Sequence, residues 1–372
     1  MQVFHELKSE FDFVFLPGVS SSEPDYSMDI PSRYWSEFED ASILLDDINP
    51  NAIVFMSIDS GLSMVLNHVA QKRGLTTFIL QHGIYTNYRD YRIREKLWQK
   101  SHRATKIQSS IHAIGFSSKT FAFNSLKGVA KLNIIAIALF SQFQKRVGPY
   151  WASKHLPLKI KKASKYLCFS PYNAIIHKEL DRVSENDLAY VGSSELMQYL
   201  KKEEPLDDDY YLHIDQALAE NSLGEETVSR EEMVEFYLKL NTYCLTNKAK
   251  LYIKLHPESY SSDWLPKDEN IIYIRNTNKL NAYIQSAKGC FGFYSTMVIP
   301  AAYWGNLVLF NIFYSGLQEA LDKYPNVTTL DFRGFDSKEI VFTKESGPLV
   351  NIKEEFIQPI GVSLASLKER FS

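Results

Sequence analysis

The sequence contains little cysteine, little net charge and no long hydrophobic run. The 3 cysteines lie far apart and form no CxxC pair, so neither a disulfide framework nor a metal site is indicated. A net charge of -3 argues against a nucleic-acid partner. The longest apolar run, residues 132–140, falls short of the roughly 20 residues of a transmembrane helix, and the polar N-terminus does not resemble a signal peptide. We therefore expect a cytoplasmic protein.

Several motifs that bind cofactors or perform catalysis are also missing. The chain has no GxxxxGK[ST] phosphate loop, no GxGxxG after a strand and no GxSxG nucleophile turn. The acidic run Asp207–Asp209 precedes a predicted strand instead of following one, so it does not indicate a divalent-metal site for a nucleotide sugar. These absences predict a protein that uses no metal and no cofactor.

The apolar pattern predicts an α/β protein. A nearly continuous apolar run at 52–58 is typical of a strand buried on both faces, and a second strand is predicted at 75–80. The segment 62–72 between them has the spacing of an amphipathic helix. Such a strand-helix-strand unit favours a parallel sheet. A further strand is expected at 11–15 and a helix at 34–47.

The length of the chain indicates two domains. Its 372 residues exceed the roughly 250–300 at which a single core stops growing. We predict a first domain over residues 1–155, a second over 156–345, and a C-terminal segment over 346–372 that could pack back on the first. The second sheet is expected to begin at Tyr166 or, more strongly, at Leu188.

A histidine and a proline end one predicted strand of the second half. The alternating apolar residues of Leu251–Leu255 predict the strand, and His256 and Pro257 follow it directly. Pro257 cannot donate to a sheet and biases His256 toward an extended conformation. Lys254 falls on the face opposite the apolar residues and is interpreted as solvated. The pattern predicts an imidazole at the carboxyl end of a sheet, where ligands of open α/β sheets bind.

Other polar residues follow predicted strands in the same way. In the first half, Asp59 and His82 stand at strand ends, and either could act as a general base toward an acceptor hydroxyl. In the second half, Tyr294, Ser295 and Thr296 are expected to open a helix whose first amides attract an anion, although Ser295 or Thr296 could equally serve as its N-cap alone. Two such domains facing each other would enclose a cleft lined by these groups.

The order of these motifs resembles that of GT-B fold glycosyltransferases of bacterial surface-polysaccharide synthesis. The similarity lies in Gln81-His82-Gly83 after one strand, in Lys254-Leu255-His256-Pro257 at another, and in the later stretch 292–297, which reads GFYSTM. Families with this order include the capsule polysialyltransferases and lipooligosaccharide sialyltransferases, the capsular Kdo transferases, and the CDP-glycerol glycerophosphotransferases.

The resemblance implies two Rossmann-like domains with a cleft between them, and a donor nucleotide bound by the second domain. It implies that Asp59 or His82 is the catalytic base. The sequence departs from the polysialyltransferase pattern, which has an acidic pair before glycine, because Asp59 is a single acid there. Thr296 also replaces the second serine of a Ser-Ser pair. The predicted donor-binding residues are Gln216, His256, Pro257, Glu258, Tyr294, Ser295 and Thr296.

The predicted activity is metal-independent transfer of a sugar from a nucleotide-activated donor to a hydroxyl of a bacterial capsule or lipopolysaccharide glycan. A CMP-sugar such as CMP-sialic acid or CMP-Kdo is the favoured donor, with a UDP-sugar as second choice, and the acceptor is a glycan or lipid-linked glycan. Three alternatives stay open: a polyol-phosphate transferase of the CDP-glycerol type, a nucleotide-sugar 2-epimerase, and a non-catalytic nucleotide-binding protein.

A lysine-rich stretch at 154–165 is interpreted as the linker between the domains, with solvated lysines. The alternative is that the basic stretch near 145–165, with the apolar stripe before it, makes a peripheral contact with the anionic inner face of the cytoplasmic membrane.

Overall fold

The chain folds into two compact units. The first comprises residues 1–95, 105–194 and 361–372, and the second comprises residues 96–104 and 195–360. The computed structural model describes residues 7, 9–18, 30–84, 86–92, 95–96, 117–127, 131–220, 228–276, 278–312, 315–342 and 348–362.

A parallel sheet forms the centre of the first unit. Its strands lie in the order β1-β2-β3-β4, so neighbours in the sheet are also successive strands of the chain. The strands are β1 (Ala52–Phe55), β2 (Thr76–Leu80), β3 (Lys165–Cys168) and β4 (Leu188–Tyr190). The helices are α1 (Ala41–Ile48), α2 (Gly61–Lys72), α3 (Ser118–Ser125), α4 (Lys131–Val147), α5 (Pro149–His155) and α6 (Pro171–Asp181). Short 3₁₀ turns lie at Trp35–Glu37, Lys159–Lys161 and Glu185–Asp187.

Capping side chains determine where the first two helices begin. The Asp40 carboxylate accepts hydrogen bonds from the N–H groups of Ser42 and Ile43, so α1 begins at Ala41. The Ser60 hydroxyl accepts from the N–H of Ser63, so α2 begins soon after β1 ends. Both helices then bury their apolar faces in one core with β2 and β3.

A second parallel sheet forms the centre of the second unit, in the order β10-β9-β8-β5-β6-β7. The strands are β5 (Tyr210–Ile214), β6 (Lys250–Lys254), β7 (Ile271–Ile274), β8 (Cys290–Gly292), β9 (Leu307–Asn311) and β10 (Val327–Asp331). The helices from the unit boundary onward are α7 (Ser194–Met197), α8 (Arg230–Thr246), α9 (Leu280–Ser286), α10 (Val298–Trp304), α11 (Gly316–Leu321) and α12 (Val350–Ile352). Short 3₁₀ turns lie at Gln198–Leu200, Pro257–Ser259 and Ser337–Glu339, and a π-helical turn lies at Lys353–Ile357.

Aromatic side chains fill the core of the second unit. The ring of Phe236 on α8 lies 5.4, 4.9 and 5.1 Å from the rings of Phe293, Phe310 and Phe332. Ring contacts of this kind contribute about 0.5–1.5 kcal/mol each beyond area burial. Every residue of β5 is buried in the sheet beside this cluster. β5 is therefore a firmly held strand at the middle of the sheet.

The structure confirms the predicted α/β class with parallel sheets, and also the helix at 62–72 and the strand at 75–80. Two N-terminal predictions are wrong. In the described N-terminal region, residues 11–15 form no strand, and Phe15 makes only an isolated bridge to Ser32. The helix expected from residue 34 begins at Ala41 because Asp40 caps it.

The expectation that a second sheet begins at Tyr166 or Leu188 is wrong. β3 pairs with β2, and β4 pairs with β3, so both strands complete the first sheet. The division between the two units lies after Ser194, not near residue 155. Apolar runs indicate that strands exist, but they do not indicate which sheet each strand joins.

The predicted C-terminal segment belongs in part to the second unit. Residues up to 360 cluster with that unit, and the N–H of Leu349 donates to the backbone oxygen of Tyr303 at 2.8 Å. Phe356 is fully buried. Residues 346–347 and 363–372 of this segment lie outside the described residues.

Candidate functional site

The carboxyl edge of the second sheet contains a topological switch point. From β5 the chain proceeds to β6 and β7 on one side, then returns to β8 on the other side of β5. Gln216 follows β5, His256 follows β6 and Ser295 follows β8, so three predicted donor-binding residues come to neighbouring strand ends. Ligands of open α/β sheets bind at such a switch point. This edge is the candidate donor site.

His256 adopts the extended conformation that Pro257 predicts, with φ -67 and ψ 148. Its Nδ1 accepts a hydrogen bond from the N–H of Glu258 at 3.3 Å, and the Glu258 carboxylate lies 3.7 Å away. In the neutral imidazole the proton is then on Nε2, which becomes a hydrogen-bond donor. The side chain is 38% exposed, so it is accessible to a ligand.

Asp215, which the sequence reasoning missed, anchors this turn. Its Oδ2 accepts from the N–H of His256 and from the hydroxyl of Ser259, both at 3.1 Å. Its Oδ1 accepts from the hydroxyl of Tyr237 at 2.9 Å. The residue is buried, and a buried carboxylate needs such donors because an unpaired charge is very costly there. Its position directly after a buried strand was the signal that could have identified it.

The prediction that a helix opens at Tyr294 is wrong. α10 begins at Val298, and Ser295 and Thr296 lie in the turn before it. The Ser295 hydroxyl accepts from the N–H of Met297 at 3.3 Å, which closes this turn instead of capping the helix. Tyr294 is buried, whereas Ser295 and Thr296 are half-buried. The hydroxyls therefore belong to a turn at the end of β8.

Two polar groups beside Asp215 are buried. Lys254, interpreted from the sequence as solvated, is 9% exposed, because both faces of this parallel sheet are covered. Burial lowers the pKa of its ammonium, and the Asp215 carboxylate opposes that shift. The Oε1 atom of Gln216 is shielded from solvent and has no hydrogen-bond partner among the described residues. A buried acceptor without a hydrogen bond costs on the order of 1–3 kcal/mol of folding free energy. A ligand that donates a hydrogen bond to this oxygen would recover part of that cost.

The first unit contains a cavity of about 250 Å³. Both predicted base candidates, Asp59 and His82, line it, so the structure brings these two residues to one site. The sequence reasoning did not identify the other polar and aromatic side chains that line the cavity, which are Ser57, Tyr91, Tyr150, Ser153, Lys161, His177 and Asp181. This cavity is the second part of the candidate functional site.

Lys161 is the charged centre of the cavity. Its ammonium lies 3.0 Å from the Asp59 carboxylate and 3.9 Å from that of Asp181, and it donates to the Ser153 hydroxyl. The side chain is 5% exposed, and removing an ammonium from water is tolerable only with such partners. The interpretation of residues 154–165 as the linker between domains is wrong, because this stretch lies within the first unit, and Lys161, unlike the exposed Lys159 and Lys165, is not solvated. A lysine-rich stretch does not reveal which lysine turns inward.

Burial lowers the pKa of His82 below its ordinary 6.5, so its ring is neutral near pH 7 and can accept a proton. The flanking residues hold the loop. Gly83 has φ +68, in the left-handed region that favours glycine. The Gln81 side chain donates to the backbone oxygen of Gly83 at 2.8 Å and accepts from the N–H of Phe169 at 2.9 Å. Gln81 thus joins this loop to the end of β3.

Among the described residues, no group of three or more His, Cys, Asp or Glu side chains is arranged to hold a metal ion. In the same part of the chain, no helix has both the length and the apolar character needed to cross a membrane.

A protein-family model described as Alpha-2,8-polysialyltransferase (POLYST) matches residues 36–307, a range that includes every predicted site residue. Comparison with curated proteins gives no match.

Solved structures that align with the chain include three of interest. UDP-GlcNAc 2-epimerase from Methanocaldococcus jannaschii has 13% identity and a TM-score of 0.45, covering 89% of this chain and 78% of that one. The glycotransferase of kitacinnamycin has 10% identity and a TM-score of 0.42, covering 80% and 67%. The wall teichoic acid polymerase TagF has 10% identity and a TM-score of 0.37, covering 87% and 68%.

Proposed function

The chain belongs to the alpha-2,8-polysialyltransferase family and is a glycosyltransferase, and from this premise we propose its donor, acceptor and site residues. The donor is a nucleotide-activated sugar, a CMP-sugar in preference to a UDP-sugar. The acceptor is a hydroxyl of a bacterial capsule or lipopolysaccharide glycan, free or lipid-linked. The observation that carries the proposal is the meeting of His256, Gln216 and Ser295 at the switch point of the second sheet.

The proposed reaction is a substitution at the anomeric carbon of the donor sugar. The acceptor oxygen forms a bond to that carbon while the bond from the carbon to the phosphate oxygen breaks. The electron pair of the broken bond leaves with the nucleotide, and the acceptor proton passes to Asp59 or His82. No redox change occurs, and atoms and charge balance.

In the second unit, His256, Ser295 and Thr296 would stabilise the negative charge that develops on the leaving phosphate. The Nε2–H of His256 is the leading donor, because Nδ1 is already occupied by the Glu258 amide. Fixed donors of this kind act without reorganisation where charge develops, so we propose that no metal ion is required. Pro257 would hold the histidine, Tyr294 would support the turn, and the Gln216 Oε1 would accept from a hydroxyl or amino group of the nucleotide.

In the first unit, Asp59 or His82 would remove the acceptor proton. Asp59 is supported by its half-exposed carboxylate, which the buried Lys161 ammonium holds in place. His82 is supported by a pKa lowered through burial, which keeps its ring neutral and basic near pH 7.

The test of the donor is nucleotide release by the purified protein. CMP-sialic acid, CMP-Kdo, UDP-N-acetylglucosamine and CDP-glycerol are each incubated with a glycan acceptor, and the freed nucleotide is measured. Release from a CMP-sugar with formation of a glycoside is the expected result. Transfer from CDP-glycerol would establish the polyol-phosphate reaction instead. Conversion of a UDP-sugar into its epimer without any acceptor would indicate a nucleotide-sugar 2-epimerase. Nucleotide binding without turnover of any donor would indicate a non-catalytic nucleotide-binding protein.

The test of the donor site is His256→Ala. Removing one charge-stabilising donor typically lowers kcat by roughly 10²–10³. His155→Ala, which changes an exposed histidine on α5 outside the cavity lining, is the matched control and should keep full activity. Unchanged transfer by a folded His256→Ala protein would eliminate the donor-site assignment.

We also propose that the protein docks on the inner face of the cytoplasmic membrane through α4. Ile135, Leu139 and Phe143 are 53%, 55% and 41% exposed and are spaced four residues apart, so they share one face of the helix. Lys145 and Arg146 follow in its last turn. An apolar face beside cations suits an anionic lipid surface.

Vesicles of phosphatidylglycerol and phosphatidylcholine test this docking. Binding should require the anionic lipid and should weaken as salt rises, because salt screens the attraction. Leu139→Ser should weaken binding, whereas Leu245→Ser, at an equally exposed leucine on α8, should not. Equal binding of the two variants would contradict the assignment to α4.

A further inference from the structure

Lys254 is a nearly buried cation at the carboxyl edge of the second sheet. It is the last residue of β6 and is 9% exposed. Among the described residues, its ammonium has neither a hydrogen-bond partner nor an ion-pair partner. The Asp215 carboxylate acts on it electrostatically but forms no ion pair with it. An unpaired charge that is largely removed from water is costly, so this ammonium lowers the stability of the folded protein.

The other buried lysine among the described residues is arranged differently. The Lys161 ammonium contacts the carboxylates of Asp59 and Asp181 and donates to the Ser153 hydroxyl. A buried lysine that only supports the fold is expected to have such partners. Lys254 therefore fits a functional role in which a ligand supplies the anion. A residue that costs stability in this way is typical of sites where activity requires it.

Lys254 lies on the face of the second sheet that α10 covers. In the ladders of this sheet, Ile214 pairs with Lys254 on one side and with Gly292 on the other, so these three positions share one face. A Cβ added to Gly292 would lie 2.6 Å from Cγ1 of Val298, the first residue of α10. The turn of Ser295 and Thr296 leads from the end of β8 to this helix. The lysine and the turn therefore approach the same face of the sheet edge.

A phosphate fits between Lys254 and this turn. Neighbouring strands lie about 4.8 Å apart, so Lys254 and Gly292, on either side of β5, are separated by about 10 Å. The flexible four-carbon stem of lysine can bring its ammonium toward a phosphate there, while the hydroxyls of Ser295 and Thr296 approach from β8. His256 follows the same strand as Lys254. One phosphate can therefore meet an ammonium, an imidazole and hydroxyl groups.

The phosphate of a nucleotide-sugar donor gains negative charge during transfer. The phosphodiester of a CMP-sugar carries one negative charge, whereas the phosphate monoester that leaves carries about 1.5–2 near pH 7. The electron pair of the broken carbon–oxygen bond stays on the phosphate oxygen. A fixed cation in a largely desolvated site stabilises this added charge more than it stabilises the bound donor. Such a cation therefore lowers the barrier to transfer and does not merely tighten binding.

We propose that the Lys254 ammonium binds the phosphate of the donor nucleotide and stabilises the charge that this phosphate gains as the sugar is transferred. The assignment rests on the proposed function, which supplies the nucleotide donor. Lys254 keeps its proton throughout the reaction, so it is a fixed cation and not a general acid. Phosphate binding supplies a counter-charge and favours the ammonium form, against the lowering of its pKa by burial.

Variants of two lysines on one strand test the assignment. Lys250 begins β6 at the opposite edge of the sheet, is 47% exposed and pairs with Asp208. Binding of CMP and of UDP to the full chain is measured by calorimetry, and nucleotide release is measured with the matching sugar donors. Lys254→Met should weaken nucleotide binding roughly tenfold or more and lower kcat by roughly 10²–10³. Lys250→Met, the matched control, should change neither.

The stability of the variants separates this role from a structural one. Lys254→Met removes an unpaired buried charge and keeps a side chain of similar length, so its midpoint of urea unfolding should equal or exceed that of the wild type. A lysine that held the fold together would show the opposite change. Lys254→Arg keeps the positive charge, so it should retain more nucleotide binding and more activity than Lys254→Met.

Three results would overturn the assignment. These are nucleotide binding and kcat that are unchanged in folded Lys254→Met, a lowered unfolding midpoint in that variant, and equal losses of activity in Lys254→Met and Lys254→Arg. If the wild type binds and releases nucleotide and Lys254→Met does so equally well, only the role of Lys254 is refuted. If the wild type neither binds nor releases any nucleotide, the proposed function fails as well.

Discussion

Acidification should destabilise the second unit through His213. This residue lies in β5 and is fully buried, with ring centroids of Phe236, Tyr237 and Phe293 at 5.4, 5.6 and 5.5 Å. Neither of its ring nitrogens has a hydrogen-bond partner among the described residues. Burial lowers the pKa of His213 from 6.5 to about 4, although the Asp215 carboxylate opposes the shift. The folded protein therefore holds this imidazole neutral.

The direction of the effect follows from which state binds the proton. Between pH 6.5 and about 4, the unfolded chain protonates His213 while the folded chain does not. Stability is therefore complete above pH 6.5 and is lost as pH falls through this window. At about 1.4 kcal/mol for each pKa unit, the full loss is roughly 3 kcal/mol, and about 2 kcal/mol of it should appear between pH 7 and pH 5.

The assay is urea unfolding at pH 7 and pH 5, followed by tryptophan fluorescence, for the wild-type protein and for His213→Leu. The variant removes the titrating group, so its free energy of unfolding should fall by about 2 kcal/mol less than that of the wild type over the same interval. Hydrogen exchange of peptides covering β5 localises the change. His155→Leu is the control. If the wild type and His213→Leu show the same pH dependence, the reasoning is refuted.

Three further predictions concern the two candidate sites. Asp215→Asn should lower the free energy of unfolding by roughly 2–3 kcal/mol in urea titrations and should also reduce sugar transfer, because a side-chain amide cannot accept every hydrogen bond that this carboxylate accepts. Asp209→Asn, at an exposed carboxylate, is the control and should change neither stability nor transfer. Lys161→Met should lower the free energy of unfolding by roughly 2–3 kcal/mol. This loss is smaller than that for breaking a fully buried ion pair, because Asp59 is half exposed. Lys161→Arg should recover part of the lost stability. Finally, EDTA should leave nucleotide release unchanged; activity lost with EDTA and restored by Mg²⁺ would contradict the proposed donor site.

Elements whose signals are local were predictable from the sequence. The helix α2 follows from its apolar spacing, and β6 follows from its alternation of apolar residues. The extended conformation of His256 follows from Pro257, which restricts its immediate neighbour whatever the fold around it. The N-terminal helix was placed too early because the pattern did not reveal that Asp40 would cap it.

Features that depend on distant residues were not predictable. Whether β3 joins β2 or starts a new sheet is decided by their pairing, which sets Phe78 beside Lys165.

 The register between these two strands joins parts of the chain that are far apart in sequence, so neither strand carries the information alone. The same holds for Lys161, whose burial depends on Asp59 and Asp181 reaching it from other elements.

By itself, the sequence determined the α/β class, most strand ends and the residue types that carry the candidate chemistry, because periodicity, capping and proline act over a few neighbouring residues. Only the tertiary structure decided which groups meet. It brought Asp215 into hydrogen-bond contact with the His256 turn and Lys161 into contact with two carboxylates. It also placed Gln216 and Ser295 at the ends of two neighbouring strands, β5 and β8. The physical reason is that burial and ion pairing are properties of surroundings assembled from distant segments, and no local pattern specifies them.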